Sequence, residues 1–275
     1  MGRPGSGNCI KGESVSFREH PTMSTHPFSE LHRREVLRLA GSAVAFLALA
    51  ASPLAVLAQT APGGAPLKIA TIGAGREGGS LGTLFAKAGH PVMFSSRHPE
   101  QLKELVDSAG PNAKAGTVAD AVAFADVVLL VVPYGAVEQI GKDYGPALAK
   151  KALVMDVSNP TARSGEEVVK MAEQLGGAGL ATAKLLPGAH IVRAFNAIGA
   201  TQLPQLAHRQ GEPVGVPIAG DDKDALAIAE RLIKEIGFEP VAVGGLAMGK
   251  YLNVGTPLAG VHTPDEIRKI AATLK

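Results

Sequence analysis

Gly73, Gly75 and Gly78 stand in the spacing G-x-G-x-x-G, with Ala74, Arg76 and Glu77 between them, directly after the β-type run Leu67 to Ile72. In that spacing one glycine permits a tight turn, one lets backbone N–H groups approach a pyrophosphate, and one lets helix and strand pack closely. A helix that follows aims the positive end of its dipole at the phosphates. A glycine pattern in a chain with 33 glycines is weak by itself and could be an ordinary turn. Its context strengthens it. Leu81, Leu84, Phe85 and Ala88 share one face of a helix predicted over Ser80 to Ala88, which stops at Gly89-His90, and Pro91 to Ser95 reads as a second strand. The whole is a βαβ unit built to receive a dinucleotide.

The end of the second strand selects the nucleotide. An NAD site usually presents Asp or Glu to the ribose about 20 residues after the glycines. Ser95, Ser96 and Arg97 stand there instead. Two hydroxyls and a guanidinium suit a 2′-phosphate dianion, so the expectation is NADP, against the plainer reading of Arg97 as a solvated cation.

The elements that must hold these residues alternate along the chain. Helices are predicted over Pro99 to Ala109, Thr117 to Phe124 (capped by Thr117, with Asp120 at its third position), Tyr134 to Ala149 and Asp222 to Ile236. Strands are predicted over Ala113 to Gly116, Asp126 to Pro133, Ala152 to Val157, His190 to Asn196, Val214 to Ala219 and Pro240 to Val243. The apolar run Val127 to Val132 marks a strand buried on both faces. The expected fold is α/β, a doubly wound parallel sheet with a Rossmann-type nucleotide domain over 67–198 and a small α/β extension over 199–275 packed on it. Ligands of such sheets sit outside the carboxyl ends of the strands. Val132-Pro133-Tyr134, Ser158-Asn159-Pro160 and Phe195-Asn196-Ala197-Ile198 occupy those ends and would line the nicotinamide end of the groove. Proline there can simply end a strand, and asparagine is also a turn residue; equally, an amide so placed can bond a carboxamide or a ring carbonyl.

Residues 1–58 read as a processing segment. His32-Arg33-Arg34-Glu35-Val36-Leu37-Arg38 precedes an Ala/Leu-rich run from Leu39 to Ala58, which resembles a twin-arginine export signal cleaved near Ala58. Residues 59–66 then form a flexible linker, and Met23 is a plausible true start. The expected location is periplasmic or extracytoplasmic, with the export machinery as a partner; an uncleaved membrane anchor is the alternative. The only cysteine, Cys9, would be lost on cleavage, removing disulfide and thiol chemistry.

Net charge +2, 19% charged residues, 4% aromatics and no tryptophan argue against nucleic acid as a partner. His90, His98, His190, His208 and His262 share no metal-like spacing, so no metal site is expected. No acid–base pair or nucleophile motif stands out, and direct hydride transfer requires positioning more than it requires such groups. Gly244 to Leu252 could cover an acceptor site or pack a homodimer, with ordinary core packing as the default.

Gly73-Ala74-Gly75-Arg76-Glu77-Gly78, Ser95-Ser96-Arg97, Val132-Pro133, Asp156 to Pro160, Val192 to Asn196 and Gly220-Asp221-Asp222 together resemble the NADP-dependent oxidoreductases that use the deazaflavin coenzyme F420. The resemblance implies that the glycine loop with Ser96 and Arg97 holds NADP. It implies that Pro133, Asn159 and Asn196 to Ile198 face the nicotinamide and a small-molecule redox acceptor. The reaction implied is hydride exchange between NADPH and the deazaflavin or a flavin-like acceptor. Two other classes stay open: an exported ferric or flavin reductase, and a nucleotide-binding accessory module without turnover.

Overall fold

The computed structural model describes residues 64–274. The arginine pair, the apolar run, Met23, Cys9 and most of the expected linker lie outside the described residues. Eight strands form one sheet: β1 (Ile69–Ile72), β2 (Val92–Ser95), β3 (Ala113–Gly116), β4 (Val127–Leu130), β5 (Leu153–Asp156), β6 (Ile191–Arg193), β7 (Gly215–Gly220) and β8 (Glu239–Gly244). Their spatial order is β3-β2-β1-β4-β5-β6-β7-β8. The first six follow the doubly wound order of nucleotide-binding sheets, with the reversal of winding between β1 and β4.

Helices cover both faces: α1 (Arg76–Lys87), α2 (Lys103–Ala109), α3 (Val118–Phe124), α4 (Val137–Leu148), α5 (Glu166–Gln174), α6 (Ala178–Leu185), α7 (Leu203–Leu206), α8 (Lys223–Glu235) and α9 (Pro264–Thr273). Every residue of β1, β2, β4 and β5 is buried, as strands covered on both sides must be. Alternate residues feed two cores. Ile69, Phe94, Leu129 and Met155 join Phe85 of α1 on one face. Ala70, Ile72, Val128 and Leu130 join Val122 of α3 on the other.

The sheet departs from the expected all-parallel arrangement at one place, because β7 runs antiparallel to β6. The link between them contains only the four-residue α7, so no full crossover helix carries the chain back to the far edge before β7 begins. β8 then pairs parallel with β7. The extension thus continues the same sheet.

Local capping reads as the sequence implies. Thr117 and Asp120 form a reciprocal capping box on α3, and Asp222 accepts from the N–H groups of Asp224 and Ala225 at the start of α8. The first helix begins four residues earlier than predicted, since the Gly79 N–H reaches the Gly75 carbonyl at 2.7 Å and draws Arg76 and Glu77 into the first turn. Pro99–Leu102 and Tyr134–Ala136 are 3-10 turns leading into α2 and α4. Four helices have no counterpart in the sequence reading: α5, α6, α7 and α9. The same is true of a seven-residue 3-10 helix, Leu246–Leu252, which rises from the carboxyl end of β8.

Candidate active site

The glycine turn after β1 explains each of its glycines separately. Gly73 has φ +102°, and a Cβ there would lie 2.2 Å from the Val131 carbonyl oxygen. A Cβ on Gly78 would lie 2.0 Å from the Gly73 carbonyl oxygen, so that position holds helix against strand. Gly75 has an ordinary φ of −71°, and a Cβ on it would meet nothing within 4 Å. The protein's own packing gives no reason for glycine at 75; close approach of a ligand to the backbone does. These three findings fit a pyrophosphate at the start of α1.

Beyond the turn, the carboxyl ends of β4, β5 and β6 open a groove of about 540 Å³ lined by Val132, Pro133, Asn159, Asn196, Ile198 and the Glu77 side chain, among others. Asn196 is only 5% exposed, and its amide donates to the carbonyls of Asp156 (3.1 Å) and Ser158 (3.2 Å). Asn159 donates to the Asn196 carbonyl at 2.6 Å. The donors are spent while the acceptors are left over. Asn159 Oδ1, Asn196 Oδ1 and Glu77 Oε1 are all buried without a hydrogen-bond partner among the described residues. Buried acceptors of this kind cost free energy unless a donor arrives, and a carboxamide N–H₂ or a ring N–H is such a donor. Burial pushes the Glu77 carboxyl up to about 7, against the opposing effects of a backbone hydrogen bond from Ala200 and the Arg76 cation.

Behind the groove lies a network that the sequence reading assigned no role. Asp156 and Arg193 are partners in the parallel register of β5 and β6 and form a fully buried ion pair, with Nη1 to Oδ2 at 2.5 Å. The Asp156 carboxylate also accepts from the Ser158 N–H at 2.9 Å, from its hydroxyl at 2.5 Å and from the Thr182 hydroxyl at 2.8 Å. Arg193 donates further to the Ser158 carbonyl (3.0 Å) and to Asn253 Oδ1 (2.9 Å). Its stem passes between Gly179 and Gly249, where a Cβ would come within 3.2 Å and 2.6 Å of its Cδ. Phe195 follows with φ +59°, a conformation a non-glycine residue adopts only when its surroundings impose it. It aims Asn196 into the groove while its own ring packs edge-on against Phe238, 5.5 Å between centroids. A pairing signal existed in the sequence, an acid and an arginine each set in an apolar strand, but only the register joins them.

The residues singled out from the sequence therefore divide. Gly73 to Gly78 form the turn, and Val132, Pro133, Asn159, Asn196, Ala197 and Ile198 meet in the groove. Ser96 and Arg97 stand one step past β2, tied to the turn through the Ala74 N–H to Ser95 carbonyl bond of 3.0 Å. Arg97 is exposed and has no side-chain partner among the described residues. Two side chains turn away. The Ser95 hydroxyl is buried and donates to the Thr71 carbonyl at 2.7 Å, which leaves it unable to meet a phosphate. Tyr134 is buried in the core beside α6, where its hydroxyl donates to the Ala178 carbonyl at 2.9 Å and lies 3.0 Å from the Thr182 hydroxyl. Both corrections have one cause: a side chain at a strand end can face the core rather than the cleft, and spacing does not say which. Among the described residues there is no cluster of His, Cys, Asp and Glu able to hold a metal.

The chain is similar to several known proteins. The family profile described as "NADP oxidoreductase coenzyme F420-dependent" matches residues 68–160. The F420-dependent NADP reductase of Methanothermobacter thermautotrophicus is 31% identical over 207 residues, covering 70% of this chain and 87% of that protein. Metalloreductase STEAP3 of Rattus norvegicus is 31% identical over 187 residues, which are 66% of this chain and 35% of that one. A solved structure from Sinorhizobium meliloti, described as the hypothetical protein SMa0349, superposes with TM-score 0.55 at 27% identity, covering 71% of this chain and 94% of its own. On the strength of the turn, the sheet order and these relatives, the chain belongs to the coenzyme F420-dependent NADP oxidoreductase family and is an NADP-dependent oxidoreductase.

Proposed function

We propose that the protein is an exported enzyme that passes a hydride between NADP(H) and a deazaflavin or flavin-like acceptor. The observation that carries this reading is the set of buried, unpartnered oxygens of Asn159, Asn196 and Glu77 in one groove that begins at the glycine turn. In this reading the N–H groups at the start of α1 take the pyrophosphate, and Ser96 with Arg97 takes the 2′-phosphate. Val132, Pro133 and Asn159 hold the nicotinamide, and Asn196 to Ile198 line the acceptor side. Bound NADPH supplies the hydride, while these residues orient it and exclude water. Export rests on the Arg33-Arg34 pair and the apolar run after it. NADP would be loaded before export and kept, because the twin-arginine route moves folded proteins.

A second reading, reduction of a flavin or ferric chelate, is favoured by the similarity to the rat metalloreductase.

The test is NADPH titration by fluorescence, with turnover on coenzyme F420, FMN and a ferric chelate. Arg97→Ala is expected to raise the Kd for NADPH by about 10- to 100-fold, the weight of a charge-assisted contact, and to leave NADH unchanged. Oxidation with the ferric chelate alone selects the second reading. Absence of NADPH binding rejects both.

A further inference from the structure

Among the described residues, Glu77 is the only ionisable side chain that lines the groove. It belongs to the second position of α1, so it sits beside the backbone N–H groups that would receive a pyrophosphate, and one of its oxygens has no partner among the described residues. Its surroundings are sparse in charge. From its own helix Arg76 approaches, from the loop after β6 only the backbone of Ala200 contacts it, and the ends of β4, β5 and β6 present no ionisable group to the groove. The Ser158 hydroxyl is occupied by Asp156, and Asp156 itself lies behind the groove under Arg193. A reduction that adds a hydride to an unsaturated acceptor also needs a proton, and among the described residues no other ionisable group lines the groove.

We infer that Glu77 is the proton-carrying group of this groove: it takes up a proton when the dinucleotide binds and delivers it to the acceptor that receives the hydride. This rests on the NADP reading above. The C–H bond of NADPH breaks with both electrons going to the acceptor carbon, and the Glu77 O–H bond breaks with its proton going to a nitrogen or oxygen of the acceptor. NADP⁺, the two-electron-reduced acceptor and a Glu77 carboxylate result, and solvent returns the proton. The phosphate charges of the dinucleotide favour the neutral acid, as does burial, which already holds the carboxyl near 7 in the free protein. Glu77 therefore couples cofactor binding to proton uptake in a single side chain.

The test uses the full chain and NADPH as the probe. Calorimetry at pH 8 in two buffers of different ionisation enthalpy should show uptake of close to one proton per NADPH bound, whereas Glu77→Gln, already neutral, should take up none and bind NADPH about tenfold more tightly at that pH. With coenzyme F420 or FMN as acceptor, Glu77→Gln should lose about 100-fold or more in kcat, and the limb of the pH profile near 7 should vanish, in the range general acid catalysis supplies. Glu77→Asp should recover part of that loss. Binding without proton uptake in the wild type, or uptake preserved in Glu77→Gln, overturns the inference. If NADPH does not bind, the NADP reading fails instead; the carboxyl band in the infrared difference between wild type and Glu77→Gln then decides the matter for the free protein, where a carboxyl fully ionised at pH 6 would overturn it.

Discussion

The two ends of the groove are built by opposite means. At the glycine turn the work is done by backbone: Gly73, Gly75 and Gly78 remove side chains so that N–H groups and helix can approach. At the β5–β6 end it is done by side chains: Asp156, Arg193, Ser158, Thr182 and Asn253 are locked together so that Asn196 points one way only. In the proposed reading, the first end takes a ligand's charge. The second carries its own charges already neutralised, which frees the amide oxygens above it for recognition. Binding of an anion and orientation of a ring call for these different constructions, since one needs unspent N–H donors and the other needs rigidity.

The contrast can be broken by substitution. Asp156→Ala should have the largest effect: it leaves Arg193 charged, buried and unpaired, at a cost of about 3–5 kcal/mol that a urea melt would register. A cost under about 1 kcal/mol would show that the network is decoration rather than scaffold. Next come the two glycines of the turn. Gly78→Ala drives a Cβ into the Gly73 carbonyl and should cost about 1–3 kcal/mol, whereas Gly75→Ala should change stability by no more than about 0.5 kcal/mol and yet weaken NADPH binding. Equal stability losses for the pair would erase the distinction between packing glycine and ligand glycine.

The smallest expected effect is on stability against pH. Glu77 has its folded pKa raised from 4.5 to about 7, so the native state binds the extra proton between those values. Its contribution is fully present below about 4.5 and is lost as pH rises through about 7. Glu77→Gln should therefore be the more stable protein above pH 7, by something of the order of 1 kcal/mol, and the two melting temperatures should converge at low pH. A constant gap across the range would mean that the carboxyl does not titrate in this window.

What the sequence made legible follows the same division. The βαβ unit was readable because its signals are local: a glycine spacing, a helical stripe and a strand, all within 30 residues of one another. Strand ends were readable for the same reason, which is why Asn159 and Asn196 could be picked out. Side-chain direction was not, and Ser95 and Tyr134 show it; one faces Thr71 and the other faces α6. The Asp156–Arg193 pair joins residues 37 apart in sequence, and only strand register makes them neighbours. The helix α6 escaped because Ala178, Gly179, Ala181 and Thr182 bury a face of small residues that carries little periodic contrast. The antiparallel β7 escaped because the length of a link does not tell which edge it returns to.

The 3-10 helix after β8 sets a distance within the extension. β8 ends opposite Ala219, level with Arg193 in the register, and Asn253 and Val254 follow the 3-10 helix to the Arg193 guanidinium and the groove rim. Seven residues of Leu246–Leu252 at about 2 Å each span roughly 14 Å along the helix axis. The segment is a ruler, with Asn253 as the mark at its end. Adding or removing one residue within it would displace that mark by about 2 Å, enough to part the amide from the guanidinium. The length of this stretch, more than its composition, then governs where the far wall of the groove stands.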